Sequence, residues 1–266
     1  GSAEGAGAVI GSVAVHDVEG EVKAWVDHVN GSLHSLTIDA DRETEIDTYN
    51  NGFALSGAIA SGSVGAGVAV LPDKSATLAA LNNANFTRTG DKSTSKVEVK
   101  ANNKNDVHTE VSTNTLAASL GAAVGVAVEV VNIDAQVGTI VSNSTLGSNN
   151  TGFASFAAKA NNNLINTFQN VTDAASTVGA LAVGVGVLNI NSQTTTTVDN
   201  SDAYADNVQV QAEETRNVNT VLAGATIGAG AIGVNLMYTN IGGQLQDAYT
   251  YNCGTSASTD EAGTTT

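Results

Sequence analysis

A parallel β-solenoid, all-β and built from about four and a half repeats of roughly 57 residues, is the fold this sequence predicts. Three observations predict it: a composition poor in helix formers, two anchors that recur in the same order, and Gly/Ala-rich strands that read as buried on both faces. The 266 residues are 42% hydrophobic but only 14% charged, against about 25% charged in an ordinary soluble domain. Thr, Val, Asn and Gly dominate, and these are strand and turn residues. The lone Pro72 excludes a Pro/Gly linker, and a single Cys excludes a disulfide scaffold. Ten basic against 26 acidic residues give −16, which argues against nucleic acid or an anionic membrane as partner. The longest apolar runs, such as 178–188, fall short of the about 18–20 residues of a transmembrane helix, so no membrane insertion is expected of this segment.

The first anchor comprises five ungapped segments, 13–26, 68–81, 128–141, 185–198 and 232–245. Each opens on an aliphatic-x-Val pair and closes on an aliphatic residue. The second follows in four units, at 36–48, 97–109, 156–167 and 208–220. It reads apolar-x-apolar-x-Ala, then Ile or Val, one residue, and Thr, with one residue fewer in the third copy. Both alternate with period two, the signature of a strand. Val26, Leu81, Val141, Val198 and Leu245 are expected to point inward, and Trp25, Ala80, Ile140, Thr197 and Gln244 outward. Thr48, Thr109, Thr167 and Thr220 are expected to form a ladder, because successive units of a stacked sheet place equivalent residues side by side.

Ahead of each first anchor lies a Gly/Ala run, as in 56–70, 116–128, 178–187 and 222–234. Neither alternate position is polar there, and a strand covered on both faces reads as such a continuous run. A 57-residue unit would extend to nearly 190 Å at roughly 3.3 Å per residue. Each unit is therefore expected to fold into several layered strands with the Gly/Ala strand in the middle, or into two or three narrow rungs. Residues 1–4 read as an expression scar and lead-in, 5–250 as the solenoid with units starting near 13, 68, 128, 185 and 232, and 251–266 as a loosely ordered polar tail around Cys253. Segments 82–95 and 142–152 read as surface loops and contact surfaces.

Candidate chemistry is sparse. Gly228, Gly230 and Gly233 satisfy G-x-G-x-x-G, but a dinucleotide site needs a helix after the loop, and strand continues here. The histidines, His16, His28, His34 and His108, lack zinc-site spacing. Asp39, Asp41, Glu43 and Glu45 share one strand face as a carboxylate ladder, read as a solvated acidic face, with calcium the less favoured alternative. Arg42, Arg88 and Arg216 fall in different units, which weakens a glycosidase or lyase reading. No cofactor, metal or catalytic residue is expected. Trp25, the sole Trp, is the one candidate binding residue, since contact anchors are enriched in Trp.

The pattern GAGVAV, an apolar segment, then V-x-V-x-A-N-N resembles the repeats of very large secreted exoproteins of Gram-negative bacteria. It is similar to leukotoxin-type and filamentous-haemagglutinin-like adhesins exported by type V routes. The resemblance implies a structural, adhesive stalk on the bacterial surface or outside the cell. Its partner would be a host-cell or bacterial surface receptor or glycan, with neighbouring repeats of the parent chain stacking on this one. The alternatives are a carbohydrate-active β-helix enzyme and an ice-binding solenoid, the latter suggested by Thr194–Thr197.

Overall fold

The computed structural model describes residues 2–5, 7–57, 62–117, 121–242, 248–253 and 256–261. The chain winds as a parallel β-solenoid, one wide coil per repeat. Each coil runs along a front sheet, turns back along a second sheet, rounds a tight corner and adds one short strand. The front sheet holds Ser2–Gly5, Leu36–Ser56, Lys96–Ala117, Phe153–Ser176 and Ala205–Ile227. The back sheet holds Ala8–Val15 with Val18–Asp27, then Ser63–Asn82, Ala122–Ser142, Gly179–Asp199 and Gly230–Ile241. Asn30–Leu33, Asn85–Arg88, Thr145–Leu146 and Asp202–Ala203 form the short side. Strands of 20 and 21 residues use up the unit's length, so there is neither a middle layer nor a set of narrow rungs.

Register follows the anchors over most of the chain. Val13, Val68, Val128 and Val185 stand side by side, as do Leu36, Val97, Phe156 and Val208. Two alignments shift. Leu236, not Ile232, stands beside Val185. In the third coil Phe168, not Thr167, lies between Thr109 and Thr220. The expected Thr ladder is therefore broken at Thr167, which pairs with His108 and Asn219 instead. A one-residue slip would flip every later side chain to the other face, whereas the ungapped strand keeps Phe168 inside, fully buried.

The interior narrows from one end of the coil to the other. Beside the short strands, Phe86, Phe153, Phe156, Leu81 and Leu146 fill a broad apolar core. Leu71, Val107, Ile133, Leu164, Phe168 and Leu188 form a second cluster midway. At the far end the hydrophobic cluster of described residues is made of alanines, Ala117, Ala123, Ala174, Ala180 and Ala182, with Ser56, Ser63 and Ser176 buried nearby in the fold. Glycine sets how closely the sheets approach: a Cβ on Gly65 would lie 2.7 Å from Thr115 Cγ2, and one on Gly186 would lie 2.8 Å from Phe168 Cζ. Side chains also reach across, with Asn50 Nδ2 donating to Val68 O at 2.7 Å and Thr139 Oγ1 to Lys159 O at 2.7 Å.

The corner is a second ladder. His28, Asn83, Asn143 and Asn200, each two residues beyond the closing aliphatic of the first anchor, adopt positive φ of 54°, 49°, 48° and 44°. Asn tolerates this left-handed conformation better than most residues because its short side chain bonds locally. Asn200 Nδ2 donates to Asn143 Oδ1 at 2.7 Å, and Asn83 Nδ2 to Asp27 Oδ1 at 3.2 Å.

Three further expectations are corrected. The Gly/Ala strands are buried only on their inner face; on the outer face Val64 is 40% exposed and Val68, Val128 and Val185 are half-buried. Among the described residues no third layer lies over Val64, Val68, Val128 and Val185. Residues buried at successive positions do occur, but at the corner end of these strands, over 77–82 and 137–142, where Ala80 and Ile140 are not the exposed positions expected of them. Segments 82–95 and 142–152 are not loops throughout: each opens with the corner and a short strand whose Phe86 or Leu146 is buried, leaving 89–94 and 148–150 at the surface.

The first coil's back strand lapses at His16–Asp17. His16 N donates to Val70 O at 3.0 Å, but the next parallel bond would need an N–H from Pro72, which has none. At the chain's other end, Ala248–Cys253 and Ser256–Glu261 pair antiparallel, across the expected boundary at 250 and into the segment 251–266 expected to be loose. Ser2–Gly5 joins the front sheet beside Phe53–Ser56. Gln244 and Leu245 lie outside the described residues.

Candidate functional site

The two outer faces offer the broadest surfaces. On the front sheet, alternation turns Asp39, Asp41, Glu43, Glu45 and Asp47 outward, all exposed. Their neighbours in the next coil are Lys100, Asn102, Lys104, Asp106 and His108. The carboxylate ladder is thus interleaved with lysines, Lys100 Nζ lying 2.9 Å from Asp39 Oδ2 and Lys104 Nζ 2.5 Å from Glu43 Oε1. The bonds to Asp39 and Glu43 raise both lysines above their ordinary value. The Lys96 ammonium beside Glu98 holds that carboxyl below its usual range. Asn161 Nδ2 donates to Asn102 Oδ1 at 2.9 Å, carrying the polar row into a third coil. Tyr49, 61% exposed, lies 5.3 Å from the His108 ring. Among the described residues, no group of three or more His, Cys, Asp or Glu side chains is placed to hold a metal ion.

The back sheet's outer face is the opposite. Four rows cross five strands: Val9, Val64, Val124, Leu181, Ile232; Gly11, Ala66, Val126, Val183, Val234; Val13, Val68, Val128, Val185, Leu236; and Val15, Val70, Val130, Val187, Tyr238. None of these positions is charged. Polar residues resume only in the next row, at Asn132, Asn189 and Asn240.

Trp25 lies near the corner end of this sheet, 48% exposed, in a row with Ala80, Ile140 and Thr197. His28 and His34 do not come together: His28 Nδ1 is 2.8 Å from Asp27 Oδ1, while His34 contacts Thr89 O and Thr94 Oγ1. Burial pushes the Asp27 carboxyl up, but bonds from His28, Asn83 and Asn82 outweigh it and hold the group below its usual value. Gly228 sits in a turn, and Gly230 opens the strand Gly230–Ile241, so strand follows these glycines. Thr194 and Thr196 face inward, bonded to Glu214 Oε2 and Gln211 O, so residues 194–197 do not form a flat Thr array.

Buried polar groups form an interior lane that the sequence reading missed. Arg42, 8% exposed, donates to Asn103 Oδ1 at 3.2 Å and lies 3.7 Å from Asp73 Oδ1. Asn105 also bonds Asp73, and Asn103 Nδ2 donates to Asn162 Oδ1 at 2.8 Å. Burial nonetheless raises Asp73 above its ordinary value, with Asn105 and Arg42 opposing and the charge of Asp134 adding to the rise. Glu129 is fully buried and neither carboxyl oxygen completes a hydrogen bond. Burial pushes it up to about 8, the Thr109 hydroxyl pulling the other way and the charge of Glu110 adding to the rise. Alternation did mark it, as a lone carboxylate at an inward position of an apolar run. The corner ladder was equally legible, since His28, Asn83, Asn143 and Asn200 keep a fixed offset from the first anchor. Comparison with protein-family models, with curated proteins and with solved structures finds no match to this chain.

Proposed function

We propose that the chain is a structural and adhesive stalk segment of a bacterial cell-surface or secreted adhesin. It carries contact surfaces for a host-cell or bacterial receptor or glycan. The observation that carries this reading is the register: long parallel strands pair residue by residue from coil to coil in both long sheets. Such a coil can repeat along its axis, and neighbouring repeats of the parent chain stack on it in the same register. Each coil advances the column by only about 4.8 Å, the spacing of neighbouring strands. The product is a broad, stiff column rather than a thin thread. Trp25 and the exposed segments 89–94 and 148–150 are the contact surfaces on this reading, and the interleaved charges of the front face keep the column solvated.

The test is adhesion of beads coated with the chain to bacterial and epithelial cells, with soluble chain as competitor. Attachment above that of albumin-coated beads, reduced several-fold by Trp25→Ala or by replacing 148–150 with glycines, is the expected result. No attachment above albumin sinks the reading. Depolymerisation of an acidic polysaccharide, lost on Asp41→Asn, would replace it with the carbohydrate-active enzyme.

A further inference from the structure

We infer that the outer face of the back sheet is an interface between two copies of this chain, so that the solenoid pairs back to back. The inference goes beyond the stalk reading and does not depend on it. The sequence of the Gly/Ala strands is close to that of a strand covered on both faces, apolar at most inward and outward positions alike. Among the described residues only the inner face is covered along these rows: Gly125, Ala127 and Glu129 are buried, while Val126 and Val128 between them are not.

Area, charge and shape select the occupant. Four rows about 6.7 Å apart on five strands about 4.8 Å apart cover roughly 640 Å². That is at the upper limit of apolar patches on ordinary monomers. Doubled across a twofold axis it gives about 1,300 Å², within the range of stable pairs. The lattice bears no charge and is regular in both directions, so it complements itself as two sheets of a sandwich do, about 10 Å apart. The −16 net charge opposes self-association through most of the surface. Pairing through this face turns both acidic front faces outward, about 30 Å apart across four sheets at about 10 Å per step. That separation exceeds the Debye length of about 8 Å at physiological salt. The same net charge disfavours an anionic lipid surface as occupant.

The test is sedimentation equilibrium of the full chain across the micromolar range. A mass twice that of the chain is expected. Val128→Lys with Val185→Lys, neighbours at the lattice centre, should weaken pairing at least ~100-fold, because each association would then bury unpaired ammoniums. Asn161→Lys on the front face should leave it unchanged. If the double variant loses its β-sheet circular dichroism, Val128→Cys in a Cys253→Ser background provides a second measurement. A short bismaleimide should join it into dimers, and should not join Asn161→Cys. A wild-type chain that stays monomeric, pairing unaffected by both lysines, or equal cross-linking at the two positions overturns the proposal. So does flotation of a monomeric chain with phosphatidylcholine vesicles that the lysine pair abolishes, which would assign the face to lipid.

Discussion

The front and back sheets are built alike and differ where they meet water. Both run through strands of about 20 residues and send alternate side chains into one shared interior, the back sheet as far as its corner end at 77–82 and 137–142. Outside, the front sheet places Asp39 beside Lys100 and Glu43 beside Lys104, while the back sheet places Val68 beside Val128 beside Val185. Inward positions answer to packing, and they mix apolar and small residues with buried polar ones such as Asn50, Asn166, Asn170 and Thr172. Outward positions answer to solvent or to a partner. A charged outer face needs nothing further, whereas an apolar one of this extent is unusual on a soluble monomer.

The sharpest way to test that division is to change neighbouring residues on opposite faces. Phe168→Ala empties a buried site at the centre of the second core cluster and should cost about 3–5 kcal/mol in urea unfolding followed by circular dichroism. Val185→Thr, on the outer face of the facing sheet, should cost under ~1 kcal/mol in the monomer, since half of that side chain's surroundings are already water. Equal costs would mean that the outer face is packed as the inner one is.

Glu129 probes the interior by pH. Its folded value, about 8, lies above the ordinary 4.5. The fold therefore favours the protonated acid, and the stability linked to that proton is complete below about 4.5 and lost as pH rises to about 8. The loss is on the order of a few kcal/mol, because each tenfold weakening of an acid corresponds to about 1.4 kcal/mol. Glu129→Gln should flatten this part of the stability profile, measured as the urea midpoint at a series of pH values. An unchanged slope would remove Glu129 as its source.

Close approach gives a smaller effect. Gly186→Val pushes methyl groups against Phe168 and Met237, where even a Cβ would lie 2.8 Å and 2.6 Å away. Overpacking of this kind costs about 1–3 kcal/mol, read as a fall in melting temperature. The smallest effect belongs to the front face: Lys100→Ala, which removes the pair with Asp39, should change stability by no more than about 0.5 kcal/mol, and by less at high salt. A larger salt-sensitive loss would make the front face structural and erase the contrast between the sheets.

Much of the fold is legible before any coordinates. Val13, Val68, Val128 and Val185 are placed in register by the first anchor, and Ala40, Ala101, Ala160 and Ala212 by the second. The two shifted alignments, at Leu236 and Phe168, share a cause, in that a local match competes with continuity of the strand. Thr167 matches Thr109 by identity, yet accepting it would break the pairing of Phe153–Ser176 with both neighbours over more than 20 residues. The Arg42, Asp73 and Asn105 lane was not legible, because its members come from opposite sheets separated by about half a coil in sequence, and no periodicity links them.

Sequence alone determined the repeat, the strand alternation and the near-absence of helix, because period-two patterning and residue ladders are properties of one strand and its nearest neighbours. Tertiary structure decided that each repeat closes as one wide coil, that Phe168 fills the position of the missing threonine, and that the outward valines Val64, Val68, Val128 and Val185 are left half-buried or exposed. Alternation states which side chains share a face. Only the path of the whole coil states what, if anything, lies against it.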